Sequence, residues 1–109
     1  MTEHGFQTLA ELAEAIASRR GLPPETSYTA RLISQGVETC AKKLGEEAIE
    51  TALAAVSGDK RHIAAEAADV LYHLLVLLAA SDVPVADVMR ELERRKGVSG
   101  LAEKASRQE

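Results

Sequence analysis

Aromatic residues are scarce in this chain of 109 residues, in which Phe6, Tyr28 and Tyr72 are the only rings and tryptophan is absent. Proline is equally rare and occurs at positions 23, 24 and 84. Strands favour aromatic and β-branched residues, and proline interrupts helices. Because rings and prolines are so few, a core of alanine, leucine, valine and isoleucine favours helix. The composition therefore predicts an all-α protein.

Cysteine is also scarce, and positive charge is not in excess. The single Cys40 excludes an internal disulfide framework and a cysteine-rich zinc site, and it is most simply a small core residue in a reducing compartment. The 17 acidic residues outnumber the 13 lysines and arginines, which gives a net charge of −4. Because non-specific binding to nucleic acid needs a basic surface, this balance argues against a nucleic-acid partner.

Long apolar runs are absent as well. The longest, at residues 70–80, is interrupted by Tyr72 and His73 and is far shorter than the roughly 20 residues of a membrane span. The N-terminus has no basic region followed by an apolar run, so it does not resemble a secretion signal. We therefore expect a soluble, cytoplasmic protein without a membrane partner, of a length that suits one domain.

Helical periodicity recurs along most of the chain, and short breaks separate its segments. The first helix is predicted within residues 8–21, with Thr8 and Glu11 as a capping box. Further helices are predicted at about 28–35, 37–56, 60–80 (capped by Asp59) and 84–96. We expect an antiparallel bundle of four to five helices over residues 1–96, followed by a polar, mobile tail at 97–109.

The helix predicted at 60–80 is apolar on nearly its whole circumference at residues 70–78. A helix that is apolar all round must be covered all round, and a four-helix domain of this size leaves one side open. We therefore expect a homodimer in which a second subunit covers this helix. The alternative is that the other helices of one chain wrap around it.

Four acidic residues stand in two mirrored pairs about the break at Gly58. Glu50 and Glu66 each lie 8 residues from Gly58, and Glu47 and Asp69 each lie 11 residues from it. Residues three apart share one face of a helix. An antiparallel hairpin therefore brings Glu50 level with Glu66, and Glu47 level with Asp69, between helix axes about 8–10 Å apart.

Carboxylates that converge between helices repel one another unless some are protonated or a cation lies among them. An all-oxygen set suits a hard divalent ion, Mg²⁺ or alternatively Mn²⁺, whereas zinc prefers nitrogen and sulfur ligands. The sequence thus predicts a metal site formed by Glu47, Glu50, Glu66 and Asp69. The competing interpretation is that these residues form solvated helix faces with salt bridges along each helix.

Further charged residues flank the acidic pairs. Glu46 lies one position round the helix from Glu47 and borders the predicted site. Lys42 and Lys43 lie one turn earlier, and Arg61 stands near the start of the next helix. These three cations could hold phosphate groups as point charges, although each alone also fits a solubilising surface residue.

Two histidines continue the acidic face of the helix predicted at 60–80. His62 stands four residues before Glu66, and His73 stands four residues after Asp69. Either could line the site. We expect both to be packed, hydrogen-bonded histidines.

Three stretches of the chain resemble the phosphoribosyl-ATP pyrophosphatase family, which catalyses the second step of histidine biosynthesis. They are "SYT" at 27–29, "KKLGEEAIE" at 42–50 and "EAADVLYHLLVLL" at 66–78, and the resemblance extends over about residues 6–95. The family is similar to MazG and to dimeric dUTPases, a group of all-α nucleoside triphosphate pyrophosphatases. That group binds magnesium with an E-x-x-E and a later E-x-x-D, which match Glu47 and Glu50, then Glu66 and Asp69.

The resemblance implies a MazG-like architecture and the Mg²⁺-dependent hydrolysis of phosphoribosyl-ATP to phosphoribosyl-AMP and pyrophosphate. Glu46 or Glu47 would then accept the proton of the attacking water, while Lys42, Lys43 and Arg61 steady the triphosphate. One alternative is a housekeeping pyrophosphatase for other nucleoside triphosphates. Another is a helical interaction module that binds metal without catalysis.

Overall fold

Helices make up most of the computed structural model, which describes residues 5–98 and 100–107. They are α1 Gln7–Ala17, α2 Tyr28–Ser34, α3 Val37–Ser57, α4 Lys60–Ala80, α5 Val85–Arg95 and α6 Gly100–Arg107, with a short 3-10 turn at Pro24–Thr26. No strand occurs within the two described ranges, so the all-α prediction is confirmed. The sixth helix lies in the segment that the sequence left without regular structure.

A hairpin of α3 and α4, each 21 residues long, is the centre of the fold. Gly58 ends α3 in a left-handed conformation with φ 83°, which glycine adopts without steric cost. Asp59 then begins α4, and its side chain accepts hydrogen bonds from the backbone N–H groups of Arg61 and His62 at 3.1 and 3.2 Å. The predicted Asp59 cap is confirmed, and the tight turn makes the two long helices antiparallel neighbours.

The core lies where α1, α2 and α3 meet the C-terminal half of α4. Its buried members are Ile16, Leu32, Cys40, Leu75 and Val76. The thiol of Cys40 donates to the carbonyl oxygen of Leu32 at 3.2 Å, and burial raises the pKa of that thiol. Cys40 is therefore a core residue, as predicted.

The "SYT" segment begins α2 and attaches it to α4. The hydroxyl of Ser27 accepts from the backbone N–H of Ala30 at 3.0 Å, which caps the helix. The hydroxyls of Thr29 and Tyr72 lie 2.5 Å apart and share a hydrogen bond. The second contact attaches α2 to the middle of α4, close to the acidic residues.

The capping box predicted at Thr8 and Glu11 is wrong. The backbone is already helical at Phe6, with φ −68° and ψ −8°, and no side chain of residues 5–98 caps α1. The backbone N–H of Thr8 donates to the carbonyl oxygen of Gly5 at 3.1 Å. Because the helix begins before Thr8, its side chain lies inside the first turn, where it has no orphan N–H to cap.

Helices α5 and α6 make only slight contact with the rest of the chain. Ion pairs along α5 itself, between Glu91 and both Arg94 and Arg95, hold the pKa of the Glu91 carboxyl down at about 2. The radius of gyration is 15.9 Å, whereas a compact domain of this length has about 13 Å. The chain is therefore more extended than a self-contained globule.

Helix α4 is long and apolar enough to cross a membrane, judged by length and composition alone. Tyr72 and His73 interrupt the apolar run in the sequence, but the mean hydropathy of a long stretch of α4 remains high. One such helix is weak evidence for a membrane protein, because the core helix of a soluble protein has the same composition. Here α4 packs against α1, α2 and α3.

Candidate active site

Three carboxylates from the two helices of the hairpin converge on one point. Glu47 on α3 and Glu66 and Asp69 on α4 each offer an oxygen, and these oxygens all lie within 4.8 Å of one another. The antiparallel hairpin and the equal distances from Gly58 account for this meeting. The structure thus brings together three of the four residues predicted as metal ligands.

The fourth predicted ligand, Glu50, borders this group without belonging to it. Its carboxylate is close enough to Glu66 for a hydrogen bond between the two groups, and this contact raises the pKa of Glu66. Glu50 and Glu66 also line one open cleft of about 280 Å³ between α3 and α4 near the turn. Glu50 is therefore level with Glu66, as the mirrored spacing predicts.

The site disfavours charge on its half-buried carboxylates. The side chains of Glu47 and Glu66 are 21% and 15% exposed. Burial is the largest cause of the raised pKa of each carboxyl. The charges of Glu50 and Asp69 raise the pKa of Glu47 further. Those of Glu50 and Glu47 do the same for Glu66. The Oε2 atom of each is buried and has no hydrogen-bond partner among the described residues.

These features fit a hard divalent cation. Buried carboxylate oxygens without donors are costly unless a positive charge meets them. The atoms that the three residues offer to an ion are carboxylate oxygens, which suit Mg²⁺ or Mn²⁺ better than zinc. Glu47, Glu66 and Asp69, with Glu50 beside them, are therefore residues that could hold such an ion.

The two histidines lie in different surroundings. His73 is buried, with Nε2 at 4.0 Å from Oε1 of Glu47, and Nδ1 has no hydrogen-bond partner in the described part of the chain. His62 has a side chain 55% exposed, with Nε2 at 3.6 Å from Oε1 of Glu66. His73 is packed as predicted but is not fully hydrogen-bonded, and the prediction of a packed His62 is wrong because its helix face is open near the turn.

The residues predicted to contact phosphate lie at the surface around this cluster. Lys42 and Arg61 are exposed and Lys43 is half-buried, and none of the three forms an ion pair with a residue that the structure describes. Glu46 is exposed too, and its charge contributes to the raised pKa of Glu47. Their roles stay predictions, since they depend on how a substrate lies.

A second groove, of about 340 Å³, lies between α1 and the C-terminal end of α4 and is larger than the cleft beside the carboxylates. Its lining is apolar apart from Glu14. A single carboxylate gives neither a metal site nor an acid–base pair. This groove therefore offers no such site.

Comparison with known proteins agrees with this geometry. A profile described as phosphoribosyl-ATP pyrophosphohydrolase matches residues 9–96, which include α3, α4 and every residue of the acidic cluster. The chain belongs to the phosphoribosyl-ATP pyrophosphohydrolase family. The resemblance carried by "SYT", "KKLGEEAIE" and "EAADVLYHLLVLL" is thereby confirmed.

Individual members of the phosphoribosyl-ATP pyrophosphohydrolase family match over nearly the whole chain. A phosphoribosyl-ATP pyrophosphatase of Dinoroseobacter shibae is 58% identical over 102 residues, which cover 94% of this chain and 100% of the relative. One of Methylobacterium radiotolerans is 62% identical, covering 92% and 94%. One of Paracoccus denitrificans is 59% identical, covering 91% and 92%. The chain is therefore an enzyme of a hydrolase family.

Proposed function

We propose that this enzyme hydrolyses phosphoribosyl-ATP to phosphoribosyl-AMP and pyrophosphate in histidine biosynthesis, in the cytoplasm, and that it needs Mg²⁺, or Mn²⁺ in its place. Family membership supports the substrate, which its relatives' names contain. The observation that carries the chemistry is the meeting of Glu47, Glu66 and Asp69, two of which have a buried oxygen with no hydrogen-bond donor among the described residues.

In this proposal Glu47, Glu50, Glu66 and Asp69 hold the ion. When bound, it offsets the negative charge on the phosphate oxygens and on the leaving pyrophosphate. The four side chains come from two helices of 21 residues, so a rigid hairpin presents them. That rigidity lowers the cost of ordering the ligands at the moment of binding.

The reaction forms one bond and breaks another. A water oxygen attacks the α-phosphorus, the bond from that phosphorus to the bridging oxygen breaks, and pyrophosphate leaves with the bond's electrons. Glu46 or Glu47 accepts the proton of the water. Glu47 belongs to the group of three that would hold the ion, whereas Glu46 is exposed and lies outside that group.

The substrate carries negative charge that the acidic cluster alone would repel. Lys42 and Lys43 lie one turn before Glu46 and Glu47 on α3, and Arg61 lies in the first turn of α4. We assign them to the triphosphate, as point charges that offset this repulsion. Their freedom from ion pairs with the described residues leaves them available for that role.

We further propose that the enzyme is a homodimer. Large apolar side chains are exposed on α3, α4 and α5, namely Ile49, Leu53, Val56, Leu71, Met89 and Leu92. Monomeric soluble proteins rarely leave so much apolar surface in contact with water. A second copy that covers this surface also completes the environment of α4, which the helices of one chain leave partly open.

The test of this function is pyrophosphate release from phosphoribosyl-ATP and from a panel of nucleoside triphosphates, each with Mg²⁺ and with excess chelator. We expect release from phosphoribosyl-ATP by far the fastest, and none in chelator. Comparable rates on common or deoxy nucleotides would indicate a housekeeping pyrophosphatase instead. Metal binding without release from any nucleotide would indicate a non-catalytic helical module.

A further inference from the structure

The imidazole of His73 is a buried polar group for which the proposed reaction has no use. It lies on α4, one turn after Asp69, and 7% of the residue is exposed. The ring contacts Tyr72 edge-on, with ring centres 5.0 Å apart at 80°, and Tyr72 is held in turn by the hydroxyl of Thr29 at 2.5 Å. The ring therefore stands in a fixed place against the acidic cluster.

The two oxygens of Glu47 have different surroundings. Oε1 lies 4.0 Å from Nε2 of His73, while Oε2 is buried without a hydrogen-bond partner among the residues that the structure describes. A carboxylate with one oxygen directed at a fixed donor keeps the other in a defined place. Ligands of metal ions are commonly oriented in this way by a partner behind them.

We propose that His73 is a positioning residue for Glu47: its buried Nε2–H donates to Oε1 and so holds Oε2 ready for the ion. The inference rests on the proposed metal site. At 4.0 Å the contact is longer than a hydrogen bond, as such contacts often are in ligand-free proteins before they tighten.

His62, the histidine beside Glu66, does not have this role. It faces Glu66 at 3.6 Å, a shorter distance than that of His73 to Glu47, but its side chain is 55% exposed. An exposed pair gains little, because water screens it and the side chains remain free to move. Only the buried ring has neighbours that prevent it from turning away.

Two substitutions separate positioning from packing. The side-chain amide nitrogen of glutamine reaches about as far as Nε2 of histidine, whereas that of asparagine reaches only the place of Nδ1. We expect His73→Asn to weaken the binding of Mn²⁺ alone, measured by calorimetry, about 10- to 100-fold. We expect His73→Gln and the exposed control His62→Asn to stay within a few-fold of the unaltered protein.

The outcomes show whether the role of His73 fails alone or the metal site fails with it. Unchanged Mn²⁺ affinity in folded His73→Asn would overturn the role of His73 and leave the site standing. Equal weakening in the Gln and Asn variants would show that the ring matters by its shape and not through Nε2. Absence of Mn²⁺ binding by the unaltered protein would overturn the metal site, and the role of His73 with it.

Imidazole nitrogen NMR of the unaltered, metal-free protein tests the same assignment without any substitution, so it decides the matter even if the variants do not fold. Above neutral pH, we expect the hydrogen of the His73 ring on Nε2. A hydrogen on Nδ1 would place a lone pair towards Glu47 and would overturn the proposal.

Discussion

In the metal-free protein, few neighbouring groups stabilise the negative charge on the carboxylate of Glu47. Burial, Glu50 and Asp69 raise the pKa of its carboxyl, and only the nearby His73 opposes them. A glutamate that merely covered a helix face would have solvent or a lysine beside it. The environment of this one side chain therefore favours a metal ligand over a surface residue.

Glu47→Gln removes the charge with almost no change in volume. We expect turnover in saturating Mg²⁺ to fall about 100- to 1000-fold, the effect of losing one major charge-stabilising group. In chelator we expect the melting temperature to stay equal or rise, because one of several mutually repelling carboxylates has been neutralised. The control Glu14→Gln, on α1, should leave turnover unchanged. Near-full turnover of Glu47→Gln would mean that this glutamate is a surface residue with no part in catalysis.

The pH dependence of stability follows from the same raised pKa. A carboxyl whose pKa in the folded state lies above its ordinary value of 4.5 contributes stability that is fully present below that value. The contribution is lost as the pH rises through the folded-state pKa. In chelator, we therefore expect the unaltered protein to match Glu47→Gln in acid and to become less stable than it towards neutral pH. Parallel melting profiles of the two proteins would contradict the raised pKa.

At the scale of the elements, the hairpin could be predicted because its signals are local. Gly58 and Asp59 mark the turn, and the mirrored spacing of the acidic residues then fixes which of them meet. The contact of His73 with Glu47 could not be predicted, since it depends on how each helix is rotated about its own axis. His62 and His73 have the same spacing from an acidic residue, yet one is exposed and the other buried.

Helix ends were harder to predict than helix existence. The Thr8 and Glu11 pattern is a good capping box in the sequence, but α1 begins two residues too early for it. Helix α6 escaped prediction because Gly97 and Gly100 obscure the period of the short segment that follows. Both errors concern a helix end or a short segment, where local preferences compete on nearly equal terms.

The turn that aligns the site gives a prediction at this scale. Gly58 has φ 83°, and the Cβ of an alanine there would have no neighbour within 4 Å, so Gly58→Ala adds backbone strain without a clash. We expect chemical denaturation to show a loss of about 1 kcal/mol in the free energy of unfolding. Gly58→Asn should lose less, because asparagine tolerates this conformation.

Gly45, inside α3, is the matched control for Gly58→Ala. The Cβ of an alanine at this position would also have no neighbour within 4 Å, but the backbone here is helical. Gly45→Ala should therefore raise the free energy of unfolding, by about 0.5–1 kcal/mol. Equal effects of the two alanine substitutions would show that the turn carries no strain and does not set the register.

At the scale of the whole molecule, the chain buries little for its length. Within the part of the chain that the structure describes, the buried apolar residues are few: Ile16, Ala30, Leu32, Cys40, Ala54, Leu75 and Val76. The radius of gyration of 15.9 Å exceeds the roughly 13 Å of a compact domain of this length. The apolar residues left uncovered lie on the same helices that form the site. Association of two chains would therefore both supply the missing burial and enclose the acidic hairpin.

Self-association gives the last prediction. We expect sedimentation at micromolar concentration to show twice the mass of one chain, with α4 near the contact. Leu71 on α4 is 44% exposed, and Leu71→Glu would place an unpaired carboxylate in that contact, which costs several kcal/mol and should shift the protein to single chains. Leu22, between α1 and α2, is 42% exposed, so Leu22→Glu is the matched control and should still associate. A folded single chain of the unaltered protein would disprove the dimer, whereas a dimer that survives Leu71→Glu would place the contact away from α4.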